Sequence, residues 1–256
     1  MSERPNPAGS LDRALAILEH LATAHQATVA ELAKATGTSR STTYRLVDRL
    51  GERGYLDRAH GDGQWRLGPS VARMAMAAVQ STDVIHAAPE VMRLLVQQTR
   101  ETVGLGVFSH GEMVFVFRER GPQAVTVNAE PGARRPLYCT SVGKAFLAAL
   151  PVAEGETLLR SLRLKAYTPQ TLTSRQAVSR QLHEIRERGW AEDYQEYEPA
   201  SICCGAAIRD HTGRPVGAIS VSGLAERMRS QLPRFGPVVA STADAVSHKL
   251  GYAPEL

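Results

Sequence analysis

Between Ser10 and Gly68 the chain sets three short amphipathic helical patterns, each closed by a turn signal, and then a pair of strand-like runs, an order that few folds accept. Leu11, Ala14, Leu15, Leu18 and Leu21 recur at helical spacing, which predicts a helix to about Ala24 with Ser10 placed to cap its first turn. Thr28 is placed to cap a second helix with Val29, Leu32 and Ala33 on one face, and Gly37 allows the sharp turn that ends it. Ser39 opens a third, where Thr43, Leu46, Val47 and Leu50 form an apolar stripe that must pack on the first two, and Gly54 stops it. Residues 55–57 and 64–67 flank the turn-rich 60–63 and predict a β-hairpin. Three helices followed by a hairpin make a winged helix-turn-helix.

The inward stripe of the third helix fixes its outward arc at about 100° per residue: Ser41, Tyr44, Arg45 and Asp48, flanked by Arg40 and Thr42. An arginine there can hold a guanine edge through two hydrogen bonds, hydroxyls can meet bases or phosphates, and the first turn at Ser39 offers backbone N–H groups to phosphate. Arg58 and Arg66, on the wing, are placed to meet flanking phosphates. The expected DNA-binding set is therefore Ser39, Arg40, Ser41, Thr42, Tyr44, Arg45, Arg58 and Arg66. The whole chain carries 30 basic and 26 acidic residues, and residues 1–68 carry nine and eight, a net of only +1. Binding must then come from the placement of a few groups rather than from bulk charge.

After Gly68 and Pro69, the alanine- and methionine-rich residues 71–79 predict a connecting helix, and the expected domains are 1–82 and 83–256. The second should contain a helix over 84–102, strands over 103–109 and 114–119 across the turn His110, Gly111, and a loop with Pro131, Gly132 and Pro136. A helix follows over 144–150 until Pro151. A further helix has Thr173 and Gln176 as a capping box, Val178, Leu182 and Ile185 inside, and Gly189 as its stop. Strands over 202–208 and 216–222 and a helix over 235–250 complete the chain. Hairpin-joined strands with helices set to one side imply an α+β domain with an antiparallel sheet. No run approaches 18 apolar residues and no cationic start precedes an apolar segment, so a cytoplasmic protein without membrane contact is expected.

Ser220 and Ser222, two apart on a strand, present both hydroxyls to one face. Ser141, Val142 and Gly143, where a helix begins, present N–H groups that suit a carboxylate, and together these groups fit a small acid. Ser141 and Lys144 also spell the serine-lysine pairing of acyl-serine hydrolases, with His211, Thr212, Gly213 imitating a second element. The S-D-N triplet is missing, so no catalytic residue is expected. The eight histidines are scattered without H-x-x-x-H spacing, and Glu192, Asp193, Glu196 and Glu198 read as a solvated acidic edge, so neither metal nor cofactor is expected. Cys139, Cys203 and Cys204 form no disulfide framework; a redox-responsive thiol is the alternative they leave open. Arg134, Arg135 and Tyr138 precede the helix start, where they could supply charge or an aromatic wall to an aromatic acid, but such a pair of arginines reads first as surface.

The run from Ser10 to Leu21, the segment TSRSTTYRLVDRLGERGY, the wing residues Arg66, Leu67, Gly68, and the stretches TSVGKAFLA, TLTSRQA, IRERGWAEDYQEYEP and HTGRPVGAISVSG together resemble IclR-type transcriptional regulators across nearly the whole chain. The resemblance implies an N-terminal winged helix, a dimerising linker helix and a C-terminal GAF-like effector domain, assembled as a homodimer or a dimer of dimers. It implies double-stranded operator DNA and a small organic acid as partners. It also places effector contacts on Ser141, Val142, Asp193, Cys203, Ser220 and Ser222.

Overall fold

The structure, a computed structural model, describes residues 9–59, 63–80, 83–123 and 130–253. The chain separates into two compact units, Met1–Ser81 and Thr82–Leu256.

The first unit runs α1 (Ser10–Ala24), β1 (Gln26–Thr28), α2 (Val29–Thr36), α3 (Arg40–Glu52), β2 (Leu56–Arg58), β3 (Gln64–Leu67) and α4 (Pro69–Gln80). Its core joins Ile17 and Leu21 of α1 to Leu32, Val47, Leu56 and Trp65. Leu11 and Leu15, which the periodicity puts on the inner face of α1, stay exposed, because this small core reaches only the C-terminal half of the helix. The N-cap of α1 is Gly9 rather than Ser10; the Asp12 carboxylate accepts its N–H at 2.8 Å. Thr28 caps α2 as expected, accepting from the Glu31 N–H while Glu31 accepts from the Thr28 N–H at 2.7 Å. Gly37 closes α2 with a φ of 63°, the left-handed conformation glycine adopts without strain. The buried Thr43 hydroxyl donates to the Ser39 carbonyl and bonds Thr38 at 2.6 Å, which pins the turn between α2 and α3. β1, too short for its period to be read in the sequence, pairs with β3 and makes a three-stranded sheet of order β1-β3-β2. The tip of the expected hairpin, 60–62, lies outside the described residues.

The second unit begins with α5 (Asp83–Ala87) and α6 (Pro89–Thr99), where the sequence suggested one helix; Pro89 supplies no N–H to continue it. β4 (Thr102–Ser109) and β5 (Glu112–Glu119) form a hairpin whose turn residues, His110 and Gly111, both have positive φ, as a tight two-residue hairpin turn requires. There follow β6 (Arg134–Pro136), α7 (Ser141–Ala149), α8 (Val152–Ser161), α9 (Arg175–Arg188) and β7 (Ala191–Tyr194). The chain then continues through β8 (Ser201–Arg209), β9 (Pro215–Leu224), α10 (Ala225–Met228) and α11 (Leu232–Lys249). β6, α8, β7 and α10 had no sequence prediction. The N-cap of α9 is Ser174 without a side-chain bond, not a Thr173–Gln176 capping box.

All neighbours in the six-stranded sheet, ordered β6-β5-β4-β9-β8-β7, are antiparallel. Helices cover both faces rather than one. Val103, Leu105, Ile202, Cys204, Ile219 and Val221 face α5, α6 and α11, whereas Ala218 and the far side of the sheet meet α7, α8 and α9. Alternation along the strands then puts Gly104, Cys203, Gly205, Ser220 and Ser222 on that second face. Such small side chains leave space between the sheet and α7, and the cavity described below occupies it.

Candidate functional site

In the first unit, α3 carries the expected reading residues. Thr43 and Val47 are buried, so Ser41, Tyr44, Arg45 and Asp48 face solvent, with Arg40 at the helix start. Ser39 has a structural duty: its hydroxyl accepts the Thr42 N–H at 3.2 Å and also bonds the hydroxyls of Ser41 and Thr42. Among the described residues, Arg40 and Arg45 make no ion pair, whereas Arg49 reaches Glu52 at 3.6 Å. On the wing, Arg58 stacks over the Trp65 ring at 4.6 Å and Arg66 pairs with Asp57 at 3.2 Å, both in exposed positions.

In the second unit, sheet register brings the other expected residues together. Asp193 pairs with Cys203, Cys203 with Ser222 and Ser222 with Thr102, a row across β7, β8, β9 and β4; the adjacent row holds Gly205, Ser220 and Gly104. The start of α7 descends onto this patch. A Cβ on Gly205 would lie 3.1 Å from the Ser141 carbonyl carbon, so glycine there lets the helix end touch the sheet. A Cβ on Gly104 would lie 2.5 Å from the Phe115 ring, which leans over that glycine. Ser141, Val142, Asp193, Cys203, Ser220 and Ser222 consequently line one small cavity, with room for about one water molecule.

Gly143, expected to offer its N–H, does not line the cavity. That N–H donates to the Thr140 hydroxyl at 3.2 Å, and the glycine lies against the Leu137 backbone, where a Cβ would come within 2.5 Å. The sequence reading missed Phe115, Thr140, Tyr197, Glu198 and Ser201 and took Arg135 for surface. Arg135 instead lies between the Phe115 and Tyr197 rings, 5.5 and 5.1 Å from their centres, with Glu198 at 3.9 Å. Phe115 lies on the expected strand β5 and Thr140 caps α7, but nothing in their local pattern points them at the cavity; the others carry no period, because β6 and the 194–201 segment are too short and irregular for one.

Beside the cavity lies a buried charge cluster that corrects the reading of a solvated acidic edge. Asp193 and Glu196 are both 3% exposed. The fully buried Lys144 donates to Glu196 and, at 3.0 Å, to Gln181. Its amine therefore serves an ion pair rather than the Ser141 hydroxyl, and the serine-lysine hydrolase reading has no support. Asp193 accepts the Glu196 N–H at 2.8 Å and the Tyr197 N–H at 3.3 Å. Burial pushes the Asp193 carboxyl up to about 7; the Lys144 charge opposes that rise and the Glu196 charge adds to it.

A carboxyl that titrates near 3.8 unfolded and near 7 folded makes stability fall with pH across that interval, because the unfolded chain ionises first. The native state bears no penalty from Asp193 below the lower value and the full one above the higher. Asp193→Asn retains an acceptor for both N–H groups, and its urea midpoint should fall less than that of the unsubstituted chain between about pH 5 and pH 8. Parallel pH profiles would mean that Asp193 is already charged in the fold at the lower pH.

The cysteines are buried, and burial raises all three thiols, Cys204 to about 12. That is the opposite of a reactive thiolate, so the redox alternative also lacks support.

A winged helix-turn-helix unit and a second unit built around a polar cavity define a transcriptional regulator with an N-terminal DNA-binding domain and a C-terminal effector domain. Residues 10–60 match the model of the IclR helix-turn-helix domain, and residues 76–248 match that of the bacterial transcriptional regulator IclR C-terminal domain. The chain belongs to the IclR family. It is 31% identical over 245 residues to the HTH-type transcriptional regulator XynR of Escherichia coli K12, covering 95% of this chain and 97% of XynR. It is 29% identical to the transcriptional repressor IclR of the same organism, covering 94% and 90% of the two chains. The crystal structure of Thermotoga maritima IclR superposes with a TM-score of 0.79 at 29% identity, over 95% of this chain and 99% of that one. An IclR homologue from Microbacterium hydrocarbonoxydans, complexed with 4-hydroxybenzoate, shares the fold with a TM-score of 0.83 at 24% identity, over 94% and 99%. Among the described residues no helix is long and apolar enough to cross a membrane.

Proposed function

We propose that the chain binds a palindromic operator in the cytoplasm as a homodimer or dimer of dimers, and that a small organic acid in the second-unit cavity changes that binding. Arg40, Ser41, Thr42, Tyr44 and Arg45 approach bases and nearby phosphates, Ser39 holds the α3 start in shape, and Arg58 and Arg66 meet flanking phosphates. The exposed Leu11, Leu15, Met74 and Met76 of α1 and α4 supply apolar surface for a second copy. Residues 1–82 carry the DNA function and 83–256 the effector function.

The observation that carries the acid reading is convergence: two strand hydroxyls, the start of α7, a buried carboxyl titrating near neutrality and an arginine between two aromatic rings border one cavity. The acid's carboxylate is received by the Ser220 and Ser222 hydroxyls and the N–H groups of Ser141 and Val142, with Arg135 nearby. Asp193 exchanges a hydrogen bond with a polar group on the ligand, and Phe115 and Tyr197 favour an aromatic body. The cavity is too small for such a molecule as it stands, so entry must separate α7 from the sheet, and this favours a second arrangement of the domain. The acid is bound and not converted.

The test titrates 4-hydroxybenzoate and pyruvate into the full chain, reading melting temperature and retention of an operator selected from random DNA. One acid should raise the melting temperature and alter retention. Ser220→Ala with Ser222→Ala should abolish both responses and leave operator affinity within about twofold. Responses that survive the double substitution would sink the cavity assignment.

A further inference from the structure

Among the described residues, three side chains that can carry charge line the effector cavity: Arg135, Asp193 and Glu198. Lys144 is committed to Glu196 and Gln181, so Arg135 is the cation left to meet an acid. Its guanidinium is clamped. Nη1 donates to the Arg134 carbonyl at 3.0 Å, and the group lies between the Phe115 and Tyr197 rings, with the exposed Tyr167 bracing Tyr197 at 4.9 Å between ring centres. Glu198 is held differently. Its backbone is fixed, because the neighbouring Tyr197 N–H donates to Asp193 and its own carbonyl accepts the Ser201 N–H at 3.2 Å. Its carboxylate is loose: 37% exposed, it meets Nη2 of Arg135 only at 3.9 Å, an ion pair too long for a hydrogen bond. Among the described residues that carboxylate has no other ion pair or hydrogen bond. Rotation about its side-chain bonds therefore carries it into solvent without moving the chain or the arginine.

We propose that Glu198 is an internal competitor for the effector acid: its carboxylate neutralises Arg135 until an acid enters, and the acid's carboxylate then takes over that cation while Glu198 turns to solvent. The inference rests on the effector-cavity reading and adds what sets its sensitivity and selectivity. Unit charges about 4 Å apart in partly buried surroundings interact strongly enough to change affinity severalfold. With Glu198 in place an entering carboxylate is repelled, and with Glu198 turned out it meets an uncompensated, largely buried guanidinium. An uncharged analogue gains nothing from the exchange, because Arg135 already has its counter-charge. Glu198 thus sets the acid concentration at which the regulator responds, and Arg135 sets the preference for an acid over its uncharged analogue.

Calorimetric titration of the full chain with 4-hydroxybenzoate, pyruvate and the uncharged methyl 4-hydroxybenzoate tests the exchange. Glu198→Gln keeps the size of the side chain and removes its charge, and its partial exposure makes the fold tolerant of the change. It should tighten whichever acid binds about fivefold, leave the ester within about twofold, and lower by the acid's factor the concentration needed to alter operator retention. Arg135→Gln should weaken the acid about tenfold. In that background the gain from Glu198→Gln should shrink to about twofold or less, because the two carboxylates no longer have a cation to contest. No tightening of the acid, equal tightening of acid and ester, or a gain that persists in full without Arg135 would overturn the competitor and leave the cavity assignment standing. Failure of both acids to bind either the unsubstituted or the Glu198→Gln chain would instead defeat the effector reading itself, and the competitor with it.

Discussion

Lys144→Ala is expected to destabilise the second unit by about 3–5 kcal/mol, the typical cost of removing one partner from a buried ion pair. The Lys144 side chain has no exposure and that of Glu196 only 4%, so no water replaces the missing ammonium. Glu196 Oε2 has no hydrogen-bond partner among the described residues, and the Glu196 charge disfavours a second one on Asp193. Without Lys144 the cluster would hold two buried acids and no cation. One of them must then take up a proton or draw the 193–197 segment towards solvent, and that segment carries the Asp193 and Tyr197 edge of the effector cavity. Urea unfolding should show the loss at pH 7 and a smaller one at pH 5, where the acids protonate more readily. Lys144→Met combined with Glu196→Leu should recover most of it, because the penalty belongs to the orphaned charge rather than to the missing attraction. A single-variant cost below about 1 kcal/mol would mean that water reaches Glu196 and that the cluster is no buried pair.

What the sequence made legible follows from where a regular period meets one buried face. The stripe through Thr43 and Val47 could be phased because α3 is long enough to repeat, and that phase alone turned Arg45 outward. Ser220 and Ser222 could be put on one face because a strand has period two. The phasing failed at the start of α1, where Leu11 and Leu15 extend beyond a core too small to cover them. Charge proved harder to read than periodicity. Lys144, Asp193 and Glu196 carry no local mark of burial, because what permits it is a pairing between α7 and the 193–197 segment, about 50 residues apart, which only tertiary contact creates. Arg135 escaped for a similar reason: its neighbours Phe115 and Tyr197 come from β5 and the segment after β7. Gly143 has no N–H to offer a ligand because the Thr140 N-cap consumes one of the N–H groups that a helix start presents.

Arg45→Ala should produce the larger functional loss, because the proposed symmetric dimer places the residue twice on its operator. A bidentate arginine–guanine contact contributes about 1–3 kcal/mol, so two half-sites imply about 2–6 kcal/mol, from about thirtyfold to more than ten-thousandfold in affinity. The fold should tolerate the change, since Arg45 is exposed and among the described residues makes no hydrogen bond or ion pair that the helix needs. Specificity is the more discriminating readout. If Arg45 reads a base, binding sites selected by the variant from random DNA should lose preference at one base pair in each half-site, while the dependence of affinity on salt changes little. Arg58→Ala should do the reverse, weakening all sequences alike and lowering the salt slope by about one unit for each phosphate no longer neutralised. Because Arg58 also stacks on Trp65, the melting temperature must be followed in that variant before its affinity is interpreted. If Arg45→Ala lowered the salt slope and kept the base preference, Arg45 would be a phosphate contact, and readout would shift to Ser41, Thr42 and Tyr44 beside it on α3.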